Sequence, residues 1–192
     1  MYRPEHFRVE DVARMHVLMR ARPFASFVSN GSTGLCASHL PTVLKDEGSY
    51  GVIECHLARA NPHWKDVASG NEALMIFQGP EGYITPNWYP SKAQHGKVVP
   101  TWNYAVVQAS QQEQTQARPW ALSDAPQSYV DAMLRGIVGF RFVITRIEGK
   151  WKMSQNRELN DQLGVTKGLE QRAEGDDLEI ADLILRNLKT KN

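Results

Sequence analysis

Apolar residues recur along this chain in two periods, and the change from one to the other marks its elements. From Val9 to Arg20 they fall at Val9, Val12, Ala13, Met15, Val17, Leu18 and Met19, a broad helical stripe that Pro23 ends. The period then shortens. Phe24 to Ser29 and Gly34 to Leu40 flank Asn30-Gly31-Ser32-Thr33-Gly34, residues that tolerate positive φ, and so predict a hairpin. After a turn at Lys45-Asp46-Glu47-Gly48, Val52, Cys55 and Leu57 mix with Glu54 and His56 in a half-buried strand over Tyr50 to Ala58. Asn61 then caps a short helix begun by Pro62.

Glu72 to Phe77 and Gly82 to Thr85 read as strands on either side of a turn at Gln78-Gly79-Pro80-Glu81-Gly82. Val98 to Ala109 is a long strand interrupted near its start by Pro100. Ala125-Pro126 precedes a helix from Gln127 to about Arg135, and Val138 to Ile147 with Lys150 to Met153 predict a last hairpin around Glu148-Gly149. Beyond Arg157 the chain turns charged and helix-forming. Asp161 to Gly164 reads as a turn, and Asp176-Asp177 caps a helix whose apolar face is Leu178, Ala181, Leu183, Ile184 and Leu188. Strands paired through short turns, with no alternation of strand and long helix, argue against a doubly wound parallel sheet. They predict a mainly β barrel with peripheral helices.

Length allows a core without staples: the chain has 192 residues. Cys36 and Cys55 lack a CxxC spacing and read as small buried hydrophobes of a reduced, cytoplasmic chain. No apolar stretch approaches the ~20 residues that span a bilayer. With 22 Lys and Arg against 21 Asp and Glu the net charge is +1, so any DNA contact needs a local patch. A nucleotide-triphosphate loop, a Gly-x-Gly-x-x-Gly turn, a nucleophile elbow and a helix-turn-helix are all lacking, which disfavours kinase and hydrolase chemistry.

Four segments carry the candidate chemistry: Ala37-Ser38-His39-Leu40-Pro41, Cys55-His56-Leu57-Ala58-Arg59-Ala60-Asn61-Pro62, Tyr89-Pro90-Ser91-Lys92 and Lys97-Val98-Val99-Pro100-Thr101-Trp102-Asn103-Tyr104. Each sets cationic, hydroxyl and aromatic side chains beside strand-like runs, as a flat phosphorylated ligand requires. Arg59, Ser91, Lys92 and Lys97 are candidates for the phosphate, although each alone also reads as a solvated surface residue. Strand alternation can bring His39 and His56 to one groove beside Ser38, where a hydrogen-bonded structural role competes with ligand contact and zinc is a weaker idea. Trp88, Tyr89, Thr101, Trp102, Asn103 and Tyr104 offer planar surfaces and polar anchors, with core packing as the alternative for the two Trp. Gln155, Asn156 and Arg157 follow the last strand and can cap a ligand or hold the tail.

These segments, with Met1-Tyr2-Arg3-Pro4-Glu5-His6-Phe7, Gly136-Ile137-Val138-Gly139-Phe140 and Gly149-Lys150-Trp151-Lys152-Met153-Ser154-Gln155-Asn156-Arg157, closely resemble the PaiB-like family of FMN-binding negative transcriptional regulators from Met1 to about Leu169. The resemblance implies a split β-barrel over 1–157 and a helical extension over 158–192 that packs on the barrel or on a partner subunit. It further implies FMN as cofactor, a homodimer, and repression in the bacterial cytoplasm of the kind that governs sporulation and protease production, with DNA bound directly or through another protein. The implied FMN contacts are Ser38, His39, His56, Arg59, Tyr89, Ser91, Lys92, Thr101, Trp102, Asn103, Gln155 and Asn156. Arg59→Ala and Lys92→Ala are expected to weaken FMN retention. Family members usually carry a further strand and helix before the Pro-Trp that is here Pro119-Trp120, whereas this chain is short there, with a polar Gln111 to Gln116 stretch. A flavin-dependent oxidoreductase and a haem protein using His39 or His56 are the alternatives.

Overall fold

The computed structural model describes residues 1–31, 34–68, 70, 72–111 and 127–189. Among the described residues eight strands, β1 (Arg8–Val9), β2 (Phe24–Gly31), β3 (Gly34–Lys45), β4 (Val52–Ala58), β5 (Ala73–Ile84), β6 (Thr101–Gln111), β7 (Ile137–Val143) and β8 (Arg146–Lys152), are hydrogen-bonded in the order β1-β8-β6-β5-β2-β3-β4-β7, so the class is mainly β as expected. The chain forms two compact units.

The first unit takes in Asp11–Phe77 and Val107–Glu148. Asp11 caps α1 (Val12–Ala21) by accepting the Arg14 backbone N–H at 3.2 Å. α1 buries Met15, His16, Leu18 and Met19 but leaves Val17 exposed. β2 (Phe24–Gly31) and β3 (Gly34–Lys45) pair antiparallel from Phe24↔Pro41 to Gly31↔Gly34, which is the predicted hairpin. β3 also pairs with β4 (Val52–Ala58) at Thr42↔Cys55, and β4 with β7 (Ile137–Val143) at Cys55↔Phe140. Alternation sends Ala25, Phe27, Ile53, Cys55, Leu57, Phe140 and Phe142 inward, where Phe27 meets Phe140 at 5.5 Å between ring centroids. α2 (His63–Ala68) follows the Asn61 cap, whose Oδ1 accepts the His63 N–H at 3.0 Å, and α4 (Gln127–Arg135) has the predicted bounds.

The second unit takes in Met1–Glu10, Gln78–Val106 and Gly149–Asn192. β1 (Arg8–Val9) pairs with β8 (Arg146–Lys152) at Arg8↔Lys150. β5 (Ala73–Ile84), β6 (Thr101–Gln111) and β8 each begin or end here, and α3 (Ser91–His95) follows a 3-10 turn at Pro86–Trp88. α5 (Leu159–Arg172) and α6 (Asp177–Lys189) bury Val165, Leu169, Ile180 and Ile184. Arg172 grips Asp177 through two hydrogen bonds of 2.7 and 2.6 Å, fixing the bend between these helices.

Several expected turns are absorbed into longer elements. β5 runs unbroken through Gln78 to Gly82: Ala73, Met75 and Phe77 are buried, then Gly79 and Pro80 together, then Gly82 and Ile84. The alternation slips by one residue at Gly79-Pro80, the signature of a bulge, which accommodates a Pro that donates no ladder hydrogen bond. Asp161 to Gly164 lies inside α5 and is not a turn. A Cβ on Gly164 would fall 2.1 Å from the Trp88 carbonyl oxygen, and one on Gly168 2.3 Å from the Trp88 ring, so both glycines serve close packing. β7 and β8 are not a hairpin pair, because β7 lies beside β4 and β8 between β1 and β6, and the break between them comes at Ile144 and Thr145 instead of Glu148-Gly149. Val9 belongs to β1 and not to the first helix, and Leu178 is exposed on α6, whose inner face uses Ile180. Cys55 is buried as expected, whereas Cys36 is only half-buried. Ser32, Thr33, the polar stretch from Gln112 onward, Pro119-Trp120 and Ala125-Pro126 lie outside the described residues.

Candidate functional site

The predicted site residues fall into the two units. In the first, neighbours on β3 present opposite faces, so Ser38 and His39 part company. Ser38 Oγ hydrogen-bonds His63 Nδ1 at 2.9 Å and accepts from Asn61 Nδ2 at 3.2 Å, while Ser29 Oγ meets His63 Nε2 at 2.8 Å. The His63 ring is buried 4.6 Å from that of Phe27. Burial holds its imidazole below the usual histidine value against the opposing pull of the Asp66 carboxylate, so it is neutral near pH 7. His63 was not a predicted site residue; its place after the Asn61-Pro62 cap was the signal available.

His39 lies on the outer face, bonded through Nδ1 to Ser26 Oγ at 3.1 Å. His56 pairs in register with Gly139 on the same face of β4 as Glu54, which is the outer one. That face leaves Phe24 67% exposed, Leu35 82%, Val43 36% and Val143 43%, and it also carries Glu54 with its ion-pair partners Lys45 and Arg141. Arg59 is at the end of β4, where its Nε donates to the Arg135 carbonyl at 2.8 Å and its Nη2 to the Ile137 carbonyl at 2.9 Å. Its backbone N–H donates to the Gly136 carbonyl, so this residue ties the strand end to the α4–β7 connection.

In the second unit Tyr89 is buried beneath the Arg157 guanidinium, 4.8 Å from its ring centroid. Ser91 is committed to Asp161, donating its N–H at 3.0 Å and its hydroxyl at 2.7 Å to the two carboxylate oxygens. Lys92 is exposed and donates to Asn87 Oδ1 at 2.6 Å, and Lys97 is exposed. Gln155 folds back on its own turn, accepting from the Met153 N–H and donating to the Trp151 carbonyl, and Asn156 is exposed.

Thr101, Trp102 and Asn103 do converge with polar groups of β8 and the turn after it. Lys152 Nζ donates to Thr101 Oγ1 and to the Trp102 carbonyl, the latter at 2.5 Å. Buried Asn103 donates to Ser154 Oγ at 3.0 Å. Trp102 Nε1 donates to Glu81 at 2.7 Å, and a cavity of about 390 Å³ is lined by Gln78, Glu81, Trp102, Tyr104, Ala105 and Val106. That volume is in the range of small-molecule sites, roughly 300–1,000 Å³. Lys150 is buried with its ammonium 5.2 Å from the Tyr104 ring centroid and 5.7 Å from that of Tyr2. Burial lowers the pKa of the Lys152 ammonium below the ordinary lysine value, and repulsion from Lys150 and Arg157 lowers it further. Lys150 and Lys152 were not predicted site residues. Their alternation with Trp151 and Met153 in a strand was visible, but not the aromatic rings that β6 sets beside them.

The profile described as "Putative FMN-binding domain" matches residues 1–112 and 108–146, most of the chain. The chain belongs to this family of FMN-binding proteins. The Bacillus subtilis "Protease synthase and sporulation protein PAI 2" is 27% identical over 98% of this chain and 99% of its own length. An uncharacterized protein of Emericella nidulans is 35% identical over 70% of this chain and 74% of its own, so the relatives include a fungal protein as well as a bacterial one. The FAD and heme binding protein from Mycobacterium smegmatis superposes with a TM-score of 0.56 at 11% identity, covering 81% of this chain and 78% of that one, and shares the split-barrel fold.

The residues present fit FMN. Trp102 and Tyr104 supply planar surface, Thr101 and Glu81 supply polar anchors, and Lys150, Lys152 and Arg157 supply charge for an anion. When bound, the flavin supplies reversible one- or two-electron chemistry that side chains lack. Among the described residues no helix is long and apolar enough to cross a membrane.

Proposed function

We propose that this protein is an FMN-binding homodimer that acts as a negative transcriptional regulator. The observation that carries the regulatory reading is its likeness to the PAI 2 protein along almost the whole of both chains. The dimer is supported by the outer face of the β2–β3–β4–β7 strands, which leaves Phe24, Leu35, Val43 and Val143 exposed on the face that also carries the Ser26–His39 pair. A second copy of that face removes such a patch from water. A net charge of +1 gives no global pull toward DNA, so repression works through a local contact or through a partner protein.

The purified protein is expected to retain stoichiometric FMN with two visible flavin bands, to scatter light as a dimer, and to give a salt-sensitive, sequence-dependent mobility shift on promoter DNA or with a captured partner. Flavin bleaching and turnover with a nicotinamide, with no promoter effect in cells lacking the protein, replaces the regulator by a flavin oxidoreductase. A sharp Soret band makes it a haem protein. A monomer at micromolar concentration removes the dimer.

A further inference from the structure

We infer that Lys150, Lys152 and Arg157, together with the Thr101 hydroxyl, form a binding site for a phosphate monoester, and that the FMN phosphate is the ligand that fills it. The identity of the ligand rests on the flavin reading; the anion site does not. Lys152 spends two of its three ammonium protons on Thr101 Oγ1 and the Trp102 carbonyl, which fixes the nitrogen and leaves one donor. Lys150 is 8% exposed, held between the rings of Tyr2 and Tyr104, and Arg157 is half-buried against Tyr89. Among the described residues no carboxylate stands within ion-pair distance of any of the three. Cations drawn out of water against one another are costly unless an anion joins them. Lys150 and Arg157 both repel the Lys152 ammonium, and a dianionic phosphate offsets that repulsion with oxygens that accept from ammonium, guanidinium and hydroxyl donors alike.

The same geometry makes Arg59, Lys92 and Ser91 poorer candidates. Arg59 holds two backbone carbonyls, Lys92 is exposed and donates to Asn87, and Ser91 faces the Asp161 carboxylate, which repels a phosphate. Tyr104 joins the site to the aromatic cavity, since its ring touches Lys150 and lines that space with Trp102. A ring compound with a phosphate arm can therefore place its plane and its charge on the same two strands.

The test compares FMN with riboflavin, which lacks the phosphate, by flavin fluorescence quenching on the full-length chain. The wild type is expected to prefer FMN, and K152Q and K150Q each to reduce that preference at least about tenfold, the effect of one charge-assisted hydrogen bond, with riboflavin affinity little changed. A preference that survives both substitutions, or that collapses instead in Arg59→Ala or Lys92→Ala, overturns the assignment. Because a change at buried Lys150 can impair folding, inorganic phosphate is also titrated into wild-type protein carrying labelled lysine, with NMR at the ε position. Saturable shifts of the Lys150 and Lys152 signals uphold the anion site even if no flavin is retained, in which case the flavin reading alone fails. Unmoved signals overturn the site.

Discussion

Replacing His63 by alanine tests whether the buried Ser29–His63–Ser38 network stabilises the first unit and makes it acid-sensitive. Ser29 is 2% exposed and its hydroxyl meets His63 Nε2, so removing the ring strands that hydroxyl at a cost of about 1–3 kcal/mol. Ser38 keeps its bond from Asn61 and adds little. Loss of a buried ring packed 4.6 Å from Phe27 leaves a cavity, and the two effects together amount to about 3–4 kcal/mol. The pH dependence has a definite sign. The folded-state imidazole pKa lies below the usual ~6.5, so between the two values the unfolded chain binds a proton that the folded chain refuses. Stability from this residue is complete above about pH 6.5 and falls on acidification, by at most about 1.4 kcal/mol per pH unit until the folded pKa is passed. Urea unfolding followed by tryptophan fluorescence, at about pH 8 and about pH 5.5, measures both terms. The wild type should lose more stability between those conditions than His63→Ala. A variant that costs less than about 1 kcal/mol near pH 8, or that keeps the full acid-side loss, refutes the reasoning.

Two other substitutable features give direct expectations. Gly164→Ala pushes a Cβ onto the Trp88 carbonyl, a backbone atom that cannot swing aside, and should lower stability by about 1–3 kcal/mol; a thermal midpoint within about 1 °C of wild type would mean that α5 does not pack as tightly as this. Burial pushes the Cys55 thiol pKa far up, while Cys36 is half-buried, so a thiol reagent at mildly alkaline pH should label Cys36 in native protein and Cys55 only on unfolding. Fast native labelling of Cys55, read by peptide mass, would contradict its burial.

What the sequence determined by itself was whatever depends on neighbours along the chain. Asn30 to Gly34 specified the β2–β3 hairpin because its residues tolerate the turn, Asn61 capped α2, and Gln127 to Arg135 carried its own helix. The multi-residue segments that bear the family resemblance were legible for the same reason. Tertiary structure decided what depends on residues far away in sequence. Glycine at 79 and 164 signals a turn locally, yet one sits in a bulge of β5 and the other makes room for Trp88. Among the site residues, Ser38 and His39 read as partners in one groove, and only the fold turned them to opposite faces and committed Ser38 to His63, Ser91 to Asp161 and Arg59 to the carbonyls of Arg135 and Ile137. Each commitment spans 25 to 78 residues. A side chain's charge is written in the sequence, but whether that charge is already matched depends on which distant groups the folded chain brings within hydrogen-bond reach. Lys150 and Lys152 illustrate this, because β6 sets Thr101, Trp102 and Tyr104 beside them from about 50 residues away.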